Sequence, residues 1–106
     1  MYVLNKRLVL GIPYHVHVTT GDVRNSSTNA RVYVIMHGGE EGKVNSGKLW
    51  LMNGKEGSFQ RGRTNIFTVE TANMLSPLHH LTVGHDNGGL GAGWFLEKVR
   101  VMYMQF

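Results

Sequence analysis

"HDNGGLGAGWFLEKVRV", residues 85–101, holds four of the chain's fourteen glycines within six positions, Gly88 to Gly93. A phosphate-binding loop, a calcium loop and a plain turn between two strands all use glycine this densely. A dinucleotide loop needs G-x-G-x-x-G between a strand and a helix, so that the helix N-terminus faces the pyrophosphate. Gly89 and Gly91 meet the spacing, but Trp94 stands at the third glycine position. From Leu96 onward the residues alternate as in a strand, so no helix follows. No Lys-Ser/Thr pair is present either. The stretch reads as a connection between two strands, its glycines supplying positive φ.

Working outward, the same period of two recurs. Tyr14, Val16 and Val18 share one face of a strand and His15 and His17 the other. Arg31 to Met36 is apolar on both faces and so reads as a central strand. Lys48 to Met52 places Leu49 and Leu51 opposite Trp50. Asn65 to Glu70, Leu78 to His85 and Trp94 to Met104 complete the set. Valine, threonine and aromatics dominate, as pleated surfaces favour. The connections carry turn residues: Gly21-Asp22, Gly38-Gly39, Asn45-Ser46-Gly47, Asn53-Gly54 and Asn87-Gly88-Gly89. Short strands with turns at intervals predict an all-β sandwich or barrel. Val69 to Leu75 is the one stretch with a helical turn in prospect, ended by Pro77. Residues 1–11 read as an arm or linker ahead of one domain over 12–106, with Leu8 to Leu10 as an added edge strand.

Composition sets further bounds. A chain of 106 residues suits one core, burying ~65% of the surface its unfolded chain exposes. It has no cysteine, which excludes disulfides and thiolate metal sites. Its apolar runs are too short to span a bilayer as helices, and the first residues lack the pattern of a signal peptide. The net charge of +4 suits an acidic protein partner or an anionic membrane surface. Lys55, Arg61 and Arg63 fall in one loop, Lys43 and Lys48 in another. With no basic run and no interleaved stacking aromatics, nucleic acid is not an expected partner.

Several stretches taken together resemble a known family. "GHDNGGLGAGWFLEKVRV" is similar to the C-terminal signature of the PLAT, or lipoxygenase homology, domain. "YHVHVTTGDVRNSSTNARVYVIMHG" resembles its first hairpin, "GSFQRGRTNIFTVE" its Phe-Glu-Arg-Gly segment, and "LHHLTVGHDN" its penultimate strand. The resemblance covers residues 13–103. Within the family, the spacing and the Gly-Trp-Phe-Leu ending are most similar to one repeat of the multi-domain member in hair-cell stereocilia. The resemblance implies an antiparallel β-sandwich of two four-stranded sheets. It also implies a non-catalytic module for protein-protein or protein-membrane association, linking plasma membrane and cytoskeleton beside neighbouring repeats. An intracellular place at the membrane periphery follows, in stereocilia on the narrower resemblance.

The family's calcium loops are the natural candidate site. Calcium takes roughly six to eight oxygens, several of them carboxylates. Carried onto this chain, the family's Thr-Asp pair is Thr28-Asn29, with Ala30 at a second acid position. The Asn-Asp pair is Gly57-Ser58, the Glu of Phe-Glu-Arg-Gly is Gln60, and a further Asp position is Asn65. Gly91-Ala92-Gly93 stands where a last family acid would be. Asn25, Ser27, Asn29, Ser58 and Gln60 are thus the metal candidates, with Asp22 and Glu56 near enough to substitute. Amides and hydroxyls in place of carboxylates predict weak calcium binding or none, and no other cofactor is implied. The membrane- or partner-binding candidates are Arg24, Trp50, Lys55, Arg61, Arg63 and Leu90, the last being the one apolar loop tip. Calcium-assisted binding to anionic membranes is the alternative function.

Other residues invite chemistry. His15 and His17 share a strand face, while His37, His79, His80 and His85 are scattered over other strands. These read as structural histidines, and His85-Asp86 as a structural hydrogen bond. No nucleophile elbow is present, so no catalytic residue is assigned. Trp50 faces either a core layer or a partner, while Trp94 and Phe95 are expected in the core.

Overall fold

A computed structural model describes residues 11–51, 59–72, 75–86 and 93–103. They form two antiparallel sheets face to face. The strands are β1 (Ile12–Thr20), β2 (Val32–Gly38), β3 (Val44–Asn45), β4 (Leu49–Trp50), β5 (Thr64–Thr71), β6 (Leu78–His85) and β7 (Leu96–Tyr103). One sheet has the order β5-β1-β7. In the other, β2 is central, with β6 on one side and the short β3 and β4 on the other. The described residues thus give three strands and four, in the β-sandwich predicted from the sequence. Leu8 to Leu10, the suggested edge strand, lie outside the described residues.

The alternation decides what is buried. Tyr14, Val16, Val18 and Thr20 of β1 point inward, and Val32, Val34 and Met36 of β2 meet them across the core. Phe67 and Val69 of β5, with Leu51, Phe59 and Leu75, complete it. Leu49 packs against this core, so the register Tyr33↔Trp50 turns Trp50 outward. Both faces of β2 are covered or half-covered, as its two-sided apolar pattern predicts.

Three expectations are corrected. No helical turn forms among the described residues of 69–75. β5 runs to Thr71, and buried Leu75 donates its N–H to the Tyr14 hydroxyl at 3.1 Å. A short 3-10 turn lies instead at Glu40–Gly42. The last strand begins at Leu96 rather than Trp94. Phe95 is not core. It is 54% exposed and its ring lies over Gly21, where an added Cβ would run into Phe95 Cδ1. A register irregularity at Thr19/Thr20 lets Leu96 and Val99 both pack inward, which breaks strict alternation where the sequence reading relied on it.

Met36 is fully buried and Ile66 is 54% exposed. Met36→Ala is expected to cost about 2–5 kcal/mol of unfolding free energy. Ile66→Ala is expected to stay within about 0.5 kcal/mol of the parent. Urea unfolding of the two variants checks the assignment of inside and outside.

Candidate functional site

The loop that leaves β1 and the loop that enters β5 are tied together at one end of the sandwich. Thr28 N–H donates to the Phe59 carbonyl at 3.2 Å, Gly62 N–H to the Gly21 carbonyl at 3.1 Å, and Thr20 N–H to the Arg63 carbonyl at 3.0 Å. Side chains add to this. Ser27 Oγ accepts from Arg61 N–H at 2.7 Å, Asn65 Oδ1 from Phe59 N–H at 2.9 Å, and Thr28 Oγ1 from Ala30 N–H at 3.1 Å. Short polar side chains close turns of this kind on their neighbours' backbone. Asn25 sits at φ 63°, a left-handed conformation asparagine tolerates. Trp94 braces the base, its indole N–H donating to Thr20 Oγ1 at 3.0 Å and its ring standing edge-on to Phe59.

The result is an open cleft of about 510 Å³ lined by Asn25 to Asn29, Gln60, Arg61 and Gly93. The structure therefore gathers four of the five metal candidates, Asn25, Ser27, Asn29 and Gln60, in one place. The fifth, Ser58, lies outside the described residues, as do Glu56, Lys55 and Leu90. The Ser26 hydroxyl, buried at the cleft, has no hydrogen-bond partner among the described residues.

This donor set does not fit a calcium ion. Among the described residues the cleft is lined by no carboxylate. Asp22 beside it is engaged, its Oδ1 accepting from Arg61 Nε at 2.9 Å. Arg61 brings a positive charge to the wall where the ion would sit. Neutral amides and hydroxyls beside a guanidinium give little attraction for a divalent cation. Arg24 and Arg63 are exposed on the same loops.

A second cluster covers the outer face of the four-stranded sheet. Tyr33 and Trp50 pair edge to face with ring centroids 5.2 Å apart. Arg31 lies over Trp50 with Cζ 4.4 Å from the ring centroid, and Lys48 Nζ is 4.6 Å from the centroid of Tyr33. Such contacts hold a cation against a ring without neutralising it. Asp86 fixes the start of β2, accepting from Arg31 N–H at 3.0 Å while its own N–H donates to the Arg31 carbonyl. Of the predicted binding residues that are described, Trp50 lies on this face and Arg24, Arg61 and Arg63 lie on the cleft loops. The sequence marks Lys48 only as a basic loop residue and gives no sign of Arg31 or Tyr33 beside it, because only the β2–β4 register brings the three together.

The histidines are not scattered as the sequence suggested. His37↔His80 is a cross-strand pair of β2 and β6, and the two rings stack at 4.0 Å. His79 Nδ1 lies 2.8 Å from His80 Nδ1, and His37 Nε2 is 3.0 Å from Thr82 Oγ1. No three acidic or histidine ligands converge on a metal position among the described residues. The ring centroids of His15 and His17 are 6.3 Å apart on the other sheet's outer face. The His80 pKa lies below its ordinary 6.5. Local desolvation by the packed rings is the first cause, and repulsion by His37 and then His79 adds to it. Because His80 remains exposed, the effect is modest.

Comparison with known proteins places this geometry. The family model "PLAT/LH2 domain" matches residues 14–105. The human lipoxygenase homology domain-containing protein 1 is 48% identical over 91 residues, covering 86% of this chain and 4% of that protein. Human polycystin-1 is 34% identical over 92 residues, covering 87% of this chain and 2% of its own. The crystal structure of coral 8R-lipoxygenase superposes with a TM-score of 0.77 at 23% identity, over 86% of this chain and 13% of that one. The chain thus spans a small fraction of each relative it matches.

The lowered His80 pKa gives a signed prediction. The unfolded chain binds the proton more tightly, so the contribution to stability is complete above the ordinary value and lost as pH falls from there through the lower folded-state value. Between about pH 7 and about pH 5 the melting temperature is expected to fall, and His80→Gln is expected to flatten part of that fall. Calorimetric melts of both proteins across the range check it.

Proposed function

The chain belongs to the PLAT/LH2 domain family, and on that premise we propose that it is a non-catalytic interaction module that works without a calcium ion. In this reading it joins protein partners to one another or to an anionic membrane surface. It acts as one repeat of a longer chain, between plasma membrane and cytoskeleton and beside neighbouring repeats. The 48% identity to a multi-domain relative supports the repeat, and the same resemblance suggests an intracellular place at the membrane periphery, in stereocilia.

One observation carries the calcium-free part of this reading. The paired loops keep a closed, hydrogen-bonded shape, yet Asp22 at the cleft is held by Arg61 and the other oxygens are neutral. The described parts of the loops are tied by backbone, hydroxyl and amide hydrogen bonds, which supports a shape that needs no ion. Arg24 and Arg63, exposed on the same loops, present positive charge beside the cleft. Among the described residues, His37, His79 and His80 contact one another and Thr82.

The second reading is calcium-assisted binding to anionic lipid. The cleft supports it to the extent that Asn25, Ser27, Asn29 and Gln60 line one space. Calorimetric titration of calcium into the chelated protein separates the two. The expected result is no saturable heat up to millimolar calcium, with any association with phosphatidylserine vesicles unchanged by chelator. Saturable micromolar binding that also promotes vesicle association would put the second reading first.

A further inference from the structure

We propose that the outer face of the four-stranded sheet docks an acidic, partly apolar peptide segment of a protein partner. Arg31 and Lys48 receive its carboxylates, and Trp50, Tyr33 and Ile35 take its apolar side chains. This rests on the interaction-module reading and deepens it by naming the partner's chemistry.

Charge complementarity is the first argument. The ion pairs among the described residues are Lys43–Glu41 and Arg61–Asp22. Neither Arg31 nor Lys48 takes part in one, although both side chains are ordered against aromatic rings. A guanidinium laid on an indole keeps its N–H edge open for a bidentate carboxylate. Both cations are held to the same ring, Arg31 at 4.4 Å and Lys48 at 5.9 Å from the Trp50 centroid, so one segment reaches both. Because the rings already restrict the two long side chains, a partner orders them at less entropic cost.

The shape of the face is the second argument. Tyr33 lies down across β6 because Gly84 stands opposite it in the register. An added Cβ at Gly84 would come within 2.5 Å of the Tyr33 hydroxyl oxygen. Glycine here sets the tyrosine flat and makes a platform with the edge-on Trp50. Ile35 continues the platform, half-buried on the same face. Buried-edge aromatics with arginine are the side chains that carry most binding energy at protein interfaces.

A bilayer fits the face less well. Tyr33 and Trp50 are half-buried and locked to each other, so neither projects to insert into lipid. Among the described residues, exposed apolar loop residues lie elsewhere, at Val23 and Phe95. Two cations alone hold a domain to an anionic bilayer only marginally.

The test uses the 106-residue chain and a short fluorescein-labelled peptide alternating glutamate and leucine. A peptide alternating lysine and leucine and vesicles of phosphatidylserine in phosphatidylcholine serve as the other probes. Fluorescence anisotropy is expected to show saturable binding of the acidic peptide that weakens with salt, and none of the basic one. Arg31→Gln combined with Lys48→Gln is expected to weaken it about 10-fold or more. Gly84→Ala, which keeps both cations, is expected to weaken it too by lifting Tyr33, provided circular dichroism shows it folded. Lys98→Gln with Arg100→Gln, two exposed cations on β7 of the other sheet, is expected to leave it unchanged. Should Gly84→Ala not fold, the paired charge variant, confined to exposed side chains, decides. Equal peptide affinity in the Arg31/Lys48 variant overturns the proposal. So does vesicle binding without peptide binding, which leaves the module reading standing. Binding to neither probe by the parent chain overturns both.

Discussion

The structure depends on one packing arrangement: the inner row of β1 against the inner row of β2. Val16 and Val18 on one sheet and Val32, Val34 and Met36 on the other are fully or almost fully buried. Each is the central strand of its sheet, β1 between β5 and β7 and β2 between β6 and the β3–β4 pair. Because side chains alternate strictly along a strand, fixing these rows inward fixes every neighbouring residue outward. The outer faces are therefore consequences of the core. His15 and His17 are set outward by Tyr14, Val16 and Val18; Tyr33, Ile35 and His37 by Val32, Val34 and Met36.

Much of this was legible in the chain because period two is a local signal. β6 occupies Leu78 to His85, the span read from the sequence, and the two-sided apolar pattern of residues 31–36 marked the central strand. The failures share a cause. Phe95, expected in the core together with Trp94, is turned outward where the irregularity at Thr19/Thr20 sets Leu96 inward. Trp50 could not be assigned a side, because residues 49–51 are apolar on both faces and only pairing with Tyr33 and Val34 decides. The histidines looked scattered because His37 and His80 are far apart in sequence, while the register places them opposite each other. Pairing between distant strands is the information that no single window carries.

The candidate cleft shows the same division. Positions 25–29 and 60 were matched to one another through family resemblance, and the structure does bring them together. What the sequence did not show is that Asp22 is already engaged. Its partner, Arg61, is a loop residue thirty-nine positions away, and only the folded loop sets the two 2.9 Å apart. A carboxylate counted as a spare ligand in the sequence is thereby a charge partner in the fold. An exposed ion pair of this kind adds little stability, but it sets a guanidinium against the one carboxylate described beside the cleft.

The loop contacts also explain how such a cleft keeps its form without acidic residues. Thr28, Ser27 and Asn65 bond to backbone N–H groups of Ala30, Arg61 and Phe59, and Gly62 and Thr20 bond to carbonyls across the gap. None of these contacts needs a net charge, so the acid positions are free to change without unfolding the loops. Asn65 makes the point most directly. It stands at a position where the family often has an acid, and an aspartate could accept the same N–H from Phe59. The amide keeps the structural half of that role and drops the charge. A scaffold whose shape is held by neutral contacts and whose outer face is set by its core can change its ligand chemistry by surface substitution alone. In this chain that separation leaves a neutral-to-basic cleft at one end and an aromatic, cationic platform on one face, both on an intact sandwich.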